Sequence, residues 1–590
     1  MNLLYQSIDT TFKRIVFGEN GNAEEKTTSS LLLNLFFKGV RDIPEEDLRA
    51  FVRNILTSAS ETGNEQLLVD LVVMTFQTRD VRGGKGEKKL FYIMIIELFK
   101  VYPDTVIMLL SIIPEYGYFK DLMNLYLMIC ADESFSKFSD ALIVSFATQL
   151  QKDMQELEAS KASEKTPSLS FAGKFAPREG KKQFSAFYKK LFRELFGKSK
   201  TARQQYRKLV VELTAEIGSP EVLMCAGKYH EITFSKVPSL CLNRFRKAFL
   251  NELVTKKGKQ SKTLSESEED TGNRFPNVEE RVACRQALQE ATINGNVSGK
   301  VIFPHELVAQ LLPKSSISRN ESLIYNAQWQ KIIEGVLETT AKFLGEDAPE
   351  GINFGKLLAL VDVSGSMDGT PMEVAIALGI LVSMTSDPAW RDRFITFETD
   401  PHWINLSQHK SLFDKVKATS EATFGLSTNF EAAFELILQS AISARLTPEQ
   451  IPDLIVFSDM QFDEAGGFSE TMLDLMTRRF AEAGVKICGT PYPAPKIIFW
   501  NLRGDTCGYP ASATASNVQL LSGFSPSLLK LVISGDPVVA TETSEDGVVV
   551  SKQVTPEETL RKALDDDRYD LVRLTLSQSN EGLLDKYSFA

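Results

Sequence analysis

Lys356 to Met367 reads KLLALVDVSGSM, an apolar run that stops abruptly at small and polar residues. Five consecutive apolar positions without alternation, ended at an acid and turn residues, are the pattern of a parallel strand buried on both faces. The same rhythm continues downstream. A helical segment at Pro371–Met384 leads to the strands RFITF (Arg393–Phe397) and HWINL (His402–Leu406), then to a helix at Asn429–Ala444. Next come the strand DLIVFSD (Asp453–Asp459), a helix at Thr471–Gly484, the strands KIIFWNL (Lys496–Leu502) and VQLLSG (Val518–Gly523), and the helix PSLLKLVI. Strands alternating with helices imply a doubly wound, Rossmann-like α/β sheet. The short ETDP link between RFITF and HWINL predicts one antiparallel edge strand.

Working back toward the N-terminus, the pattern becomes helix after helix from Ser29 to Gly345. Ser29–Val40, Glu46–Ala59, Glu65–Gln77, Lys88–Tyr102, Asp104–Tyr116 and Phe119–Cys130 all carry apolar residues at helical spacing, with Gly, Pro or Asp in the short connections. Successive helix pairs of this length predict a HEAT-like α-helical repeat. The chain is therefore expected to be multidomain, α plus α/β: a helical repeat domain over 1–350, the α/β domain over 351–540, and a C-terminal helical extension over 541–590. At 590 residues it exceeds the span of a single core, about 250–300 residues. Two polar segments, Glu156–Ser170 and Thr255–Asn273, read as mobile surface loops. The tail from Thr555 begins Thr-Pro-Glu-Glu and reads as a last amphipathic helix.

Doubly wound sheets place ligands at the carboxyl ends of their strands. There Asp362-Val-Ser364-Gly-Ser366 leaves the first strand, Asp459 ends the strand DLIVFSD, and Thr428 opens a helix in GLSTNF. Three loops thus bring five oxygen-bearing side chains toward one crevice: Asp362, Ser364, Ser366, Thr428 and Asp459. Carboxylate and hydroxyl oxygens suit a hard cation, Mg²⁺ or Mn²⁺. That ordered set resembles the metal-ion-dependent adhesion site (MIDAS) of von Willebrand factor A domains. The resemblance implies that Ser364, Ser366 and Thr428 touch the ion, that Asp362 and Asp459 act largely through water, and that an acidic group of a partner completes the coordination.

Charge is uneven along the chain. The total is −11, yet Phe171–Lys262 holds 21 Lys/Arg against 7 Asp/Glu, a net +14, so the remainder carries −25. Within it, KFAPREGKKQFSAFYKKLFRELFGKSKTARQQYRK sets twelve cations among Phe and Tyr residues. Clustered cations track phosphates and aromatic rings stack bases; equally, the rings can face a core while the cations cover a solvated helix face. The candidate RNA contacts are Lys85, Lys174, Arg178, Lys181, Lys182, Arg203 and Lys208.

No other motif carries chemistry. Arg82-Gly-Gly-Lys85-Gly86 lacks the phosphate-loop spacing and reads as a flexible basic connection between helices. Gly523-Phe-Ser525 lacks the second glycine of a nucleophile elbow. Four histidines form no H-x-x-x-H pair, and six cysteines show no C-x-x-C. Composition offers no catalytic set, so the expectation is a non-enzymatic protein. The start does not read as a signal peptide, and no run of about 20 apolar residues for a membrane is expected. A cytoplasmic protein is expected, with the nucleus also open to it.

Several blocks carry a wider resemblance. RDVRGGKGEKKLF, IPEYGYFKDL, KFAPRE, EITFSKVPS and IFPHELV, with LLALVDVSGSM, VFSDMQFD, IIFWNLRG and VQLLSGFSPSLLK, look like the family known as domain of unknown function 2828, found in plants, fungi and large DNA viruses. The layout of helical repeats before a von Willebrand A domain, with GGKGE followed by PEYGYFKDL, is more distantly similar to the TROVE module of Ro-type proteins. That likeness implies small structured or single-stranded RNA on a basic helical surface. The alternative is a protein scaffold that binds an acidic partner through the metal, without nucleic acid.

Overall fold

The computed structural model of the chain describes residues 15–17, 23–252, 272–299, 302–345, 352–397, 401–421, 430–462, 472–533, 541–543, 549–551 and 554–579. It is mixed α and β, mostly helical, and divides into two compact units. One takes Met1–Ser58, Gly83–Leu90 and Ile302–Asp567; the other takes Ala59–Arg82, Phe91–Val301 and Arg568–Ala590. The units interleave along the chain and are not separated by a single cut near residue 350.

The first, the sheet unit, is built on six strands: β1 (Leu357–Asp362), β2 (Arg393–Phe397), β3 (His402–Asn405), β4 (Asp453–Ser458), β5 (Ile497–Asn501) and β6 (Val518–Ser522). Their order is β3-β2-β1-β4-β5-β6. All neighbours run parallel except β2 and β3, which pair antiparallel with Arg393 opposite Asn405, in keeping with the short link between them. Every residue of β1, β5 and β6 is buried, which is why these strands are apolar runs rather than alternations. The helix Thr370–Thr385 lies on β1. At Gly379 an added Cβ would sit 2.4 Å from Val361 Cγ2, so glycine is what lets helix and strand approach.

Several elements expected with the N-terminal helices belong to the sheet unit instead. Leu31–Lys38, capped by the Ser30 hydroxyl on Leu33 N, lies against β6. Pro304–Leu311 packs on Thr370–Thr385, and Arg319–Leu344 packs against Leu412–Ser420. The tail is two helices rather than one: Pro556–Leu564, opened by a capping box between Thr555 and Glu558, and Asp570–Ser579. Asp565–Tyr569, with a short 3-10 turn at Asp567–Tyr569, separates them.

The helical unit is organised around Ser136–Ser163, a helix of 28 residues that packs against Lys120–Ile129, Ser185–Phe196 and Ala202–Glu216. This overturns the loop expected at Glu156–Ser170, because residues 156–163 continue the helix. Leu157 and Ser160 are buried on its inner face, and Ala, Glu and Lys are strong helix formers. Only the stretch after Ser163 leaves the helix, and it is tied back: Ser170 donates from N and Oγ to Asp153, at 3.2 and 2.6 Å. Of the second expected loop, Thr255–Asn273, residues 255–271 lie outside the described residues. Among the described residues no helix is long and apolar enough to cross a membrane.

Candidate metal centre

The sheet's order reverses around β1 and β4, and the crevice beyond the carboxyl ends of such neighbours is where doubly wound folds bind ligands. A row of polar residues closes the strands there. Asp362 ends β1, Ser458 ends β4, Asn501 ends β5 and Ser522 ends β6, with Ser458 beside Asn501 and Asn501 beside Ser522 in register. All four are fully buried.

Asp362 is held from two sides. Its Oδ1 accepts from Ser364 N at 2.9 Å, and its Oδ2 accepts from the Ser458 hydroxyl at 2.5 Å. Ser364 and Ser366 bring their hydroxyl oxygens to 3.1 Å; Ser364 is buried and Ser366 is exposed. Asp459 follows β4 in a tight turn. Met460 takes the left-handed conformation (φ 68°), its N–H bonded to Ser458 Oγ at 3.0 Å, while Gln461 N bonds Asp459 Oδ1 at 3.2 Å. A non-glycine residue in that region costs about 1 kcal/mol, and here the turn aims the Asp459 carboxylate into the crevice. Thr428 lies outside the described residues.

The electrostatics are unfavourable without a cation. Burial holds Asp362 well above the usual carboxylate range, and the Asp459 carboxylate adds to it; hydrogen bonds from Ser364 and Ser458 pull the other way. Asp459 is itself fully buried, and its Oδ2 receives no hydrogen bond among the described residues. The cation facing that oxygen is Arg503, with Nη1 at 3.6 Å. Among the described residues no three His, Cys, Asp or Glu side chains cluster. The donors assembled here are two carboxylates and two hydroxyls, an oxygen set that fits a hard divalent ion and fits Zn²⁺ poorly. Sequence reasoning missed Ser458 and Arg503. The signal for Ser458 was its place directly before Asp459 at a strand end; Arg503 had none.

Lys85 is not where an RNA contact would be. It is buried, and its ammonium donates to Phe36 O, to Gly39 O at 2.9 Å and to Ser522 Oγ at 2.7 Å. Ser522 Oγ in turn donates to Phe36 O. Three acceptors for three N–H groups satisfy the side chain, and the pair Lys85–Ser522 is sealed from any substrate. The RGGKGE stretch is thus a packed wedge rather than a flexible basic connection: Gly86 (φ 74°) passes so close to Phe303 that a Cβ would sit 2.6 Å from the ring. Burial pushes the Lys85 ammonium down to about 7, against the opposing pull of Glu87. Between that value and the ordinary lysine range, the unfolded chain binds the proton more tightly than the folded one. Stability therefore rises with pH across this window. Denaturant midpoints from pH 7 to 10 should climb in the wild type relative to Lys85→Met; parallel profiles would mean that the amine stays charged throughout.

The basic stretch separates into two layers. Phe187, Tyr188 and Tyr206 are buried, packing edge-on against Tyr126, Phe146 and one another. Their rings are not available to stack bases. The cations lie outside: Lys181, Lys182, Arg203 and Lys208 are exposed, while Lys174 and Arg178 are half-buried. Arg203 pairs with Glu179, Lys208 lies 3.8 Å from Glu212, and Arg178 donates to Thr214 Oγ1 at 2.8 Å.

Similarity to known proteins spans both regions of the chain. A family described as Domain of unknown function (DUF2828) matches residues 18–145 and 131–256, and one described as Domain of unknown function (DUF7788) matches 356–566. The uncharacterized protein L728 of Acanthamoeba polyphaga mimivirus is 30% identical over 533 residues, covering 88% of this chain and 85% of the viral protein. Identity at that level over nearly the full length of both proteins makes them relatives throughout, and the chain belongs to the DUF2828 family.

Proposed function

We propose that the sheet unit is a von Willebrand A-type domain and that the protein is a non-enzymatic binding protein, which captures an acidic group of a partner through Mg²⁺ or Mn²⁺ held at the carboxyl ends of β1 and β4. Asp362, Ser364, Ser366 and Asp459 hold the ion, with Thr428 as the fifth residue of the set. The observation that carries this reading is Asp459 Oδ2, a buried carboxylate oxygen without a hydrogen bond beside a second buried carboxylate. Two such charges are costly to keep together in a low-dielectric crevice unless a cation joins them. The strand order with its antiparallel edge, and D-x-S-x-S at the end of β1, support the assignment of fold type. When bound, the cation supplies a Lewis-acidic position for a carboxylate. Asp362 and Asp459 supply the counter-charge, and Ser458 fixes the Asp362 rotamer. Calorimetric titration of Mn²⁺ into the full chain, wild type against Asp362→Ala, tests it.

A second reading, RNA on the basic helical surface in the manner of Ro-type proteins, is favoured by the exposed cations Lys181, Lys182, Arg203 and Lys208. Binding then rests on phosphate contacts rather than on the buried rings. Changing these four to Glu should abolish the shift of a structured RNA in a gel. Wild-type affinity should fall by about 0.7 log units per phosphate contact for each decade of salt. Asp362→Ala should leave RNA binding unchanged. Salt-insensitive binding, or none, leaves the metal-dependent reading alone.

A further inference from the structure

Arg503 stands at the rim of the crevice, just past the end of β5. Its backbone N–H bonds Asn501 Oδ1 at 3.0 Å, which fixes where the side chain starts. Nη1 donates to Ser366 O at 3.2 Å and faces Asp459 Oδ2 at 3.6 Å. The other edge of the guanidinium, Nε and Nη2, forms a fork on Asp505 at 3.1 and 2.6 Å. The side chain is 29% exposed and Asp505 34%, whereas Asp459 is sealed. One guanidinium therefore lies between a buried acid that lacks a hydrogen bond at Oδ2 and a half-exposed acid that grips it bidentately.

We propose that Arg503 is a resident counter-cation of this site. It offsets the Asp362–Asp459 charge in the metal-free protein and competes with the divalent ion for Asp459. Asp505 is the alternative partner that keeps the guanidinium paired once the ion has taken its place. This rests on the metal-binding reading above. The distances argue for competition rather than support. At 3.6 Å Nη1 is beyond hydrogen-bond range of Asp459, so the interaction is one of charge. A charge of the same sign as the incoming ion, a few ångströms from the ligand it needs, opposes binding. Were Arg503 a positioning residue for Asp459, a hydrogen bond to Oδ2 would be the expected contact. The fork instead falls on Asp505.

The test is Mn²⁺ titration by calorimetry into the full chain as wild type, Arg503→Gln, Arg503→Lys, Asp505→Asn and Asp362→Ala, with melting temperatures recorded in EDTA and in saturating Mn²⁺. Arg503→Gln should bind Mn²⁺ about tenfold tighter than wild type, the size expected for removing one like charge at this range near solvent. The gain should shrink at high salt. Arg503→Lys keeps the charge and should bind as wild type does. Asp505→Asn, which removes the acid that grips the guanidinium bidentately, should bind more weakly. Arg503→Gln should also melt below wild type in EDTA and lose that deficit in Mn²⁺; a residue with only a structural role keeps the deficit in both. If wild type binds Mn²⁺ and Asp362→Ala does not, while Arg503→Gln binds no tighter than wild type, the competition is overturned and the metal site stands. If wild type takes up no Mn²⁺, the metal reading falls, and this inference with it.

Discussion

Asp121→Ala should destabilise the helical unit by about 3–5 kcal/mol, the range for removing one partner of a buried ion pair. Asp121 is almost completely buried and accepts three hydrogen bonds, from Arg79 Nε at 2.9 Å, Tyr118 N at 2.7 Å and the Tyr92 hydroxyl, with Arg79 Nη2 in ion-pair contact at 2.7 Å. Truncation leaves the Arg79 guanidinium, itself fully buried, without its counter-charge. The turn at Gly117 packs directly on the pair; a Cβ there would sit 2.2 Å from Asp121 Oδ2 and 2.8 Å from Arg79 Nε. The choice of probe matters. All four tryptophans (Trp329, Trp390, Trp403 and Trp500) belong to the sheet unit. Far-ultraviolet circular dichroism should therefore show an early loss of helix that tryptophan fluorescence does not report at that point. Adding Arg79→Met to Asp121→Ala should recover part of the loss, since no unpaired charge is then left inside. A fall below about 1 kcal/mol would place the pair among those whose geometry contributes little.

Asp362→Ala should weaken Mn²⁺ binding by more than about 100-fold, since outer residues that only orient metal ligands already contribute 10–100-fold. The metal-free protein should behave differently. Alanine at 362 removes one of two repelling buried carboxylates but also two hydrogen bonds, from Ser364 N and Ser458 Oγ. These changes oppose each other, so melting in EDTA should move little. In Mn²⁺ at about 100 times the dissociation constant, wild type should gain about 2.7 kcal/mol and the variant nothing. Equal thermal responses in both proteins would remove the metal from this crevice.

How much of this was legible depended on how local the cause was. The strand KLLALVD, the acids and hydroxyls at Asp362, Ser364, Ser366 and Asp459, and the antiparallel pair after Thr370–Thr385 all arise from neighbours within a few positions. Ser458 was placed by its position before Asp459 at a strand end, but its bond to Asp362 was not legible, because it exists only through the pairing of β4 with β1, 96 positions apart in sequence. Lys85 misled for the same reason. Glycines on both sides suggest a surface loop, but the acceptor Ser522 is 437 positions away. Residues 156–163 misled in the opposite sense: few apolar side chains suggest a loop, whereas helix propensity and the buried Leu157 suffice to extend Ser136–Ser163. The aromatic residues between the cations of the basic stretch were ambiguous by nature, since an amphipathic helix and a stacking platform use the same residue types until packing decides.

The interleaving of the units has a consequence for synthesis on the ribosome. Leu31–Lys38 buries Leu33, Phe36 and Phe37 within a unit whose six-stranded sheet begins only at Leu357. β6, against which this helix packs, emerges last among the six strands of the sheet. At roughly 5–20 residues per second, a nascent chain holds that apolar helix without its native partner for on the order of half a minute or longer. Meanwhile the excursion through Ala59–Arg82 and Phe91–Val301 can already collapse on itself. The two ends of the sheet unit must then find each other with that folded excursion between them in the chain. Until then Leu33, Phe36 and Phe37 stay without the partner that buries them. A fragment that begins at residue 351 lacks both that helix and the Lys85 wedge, and it exposes the β6 face that they cover.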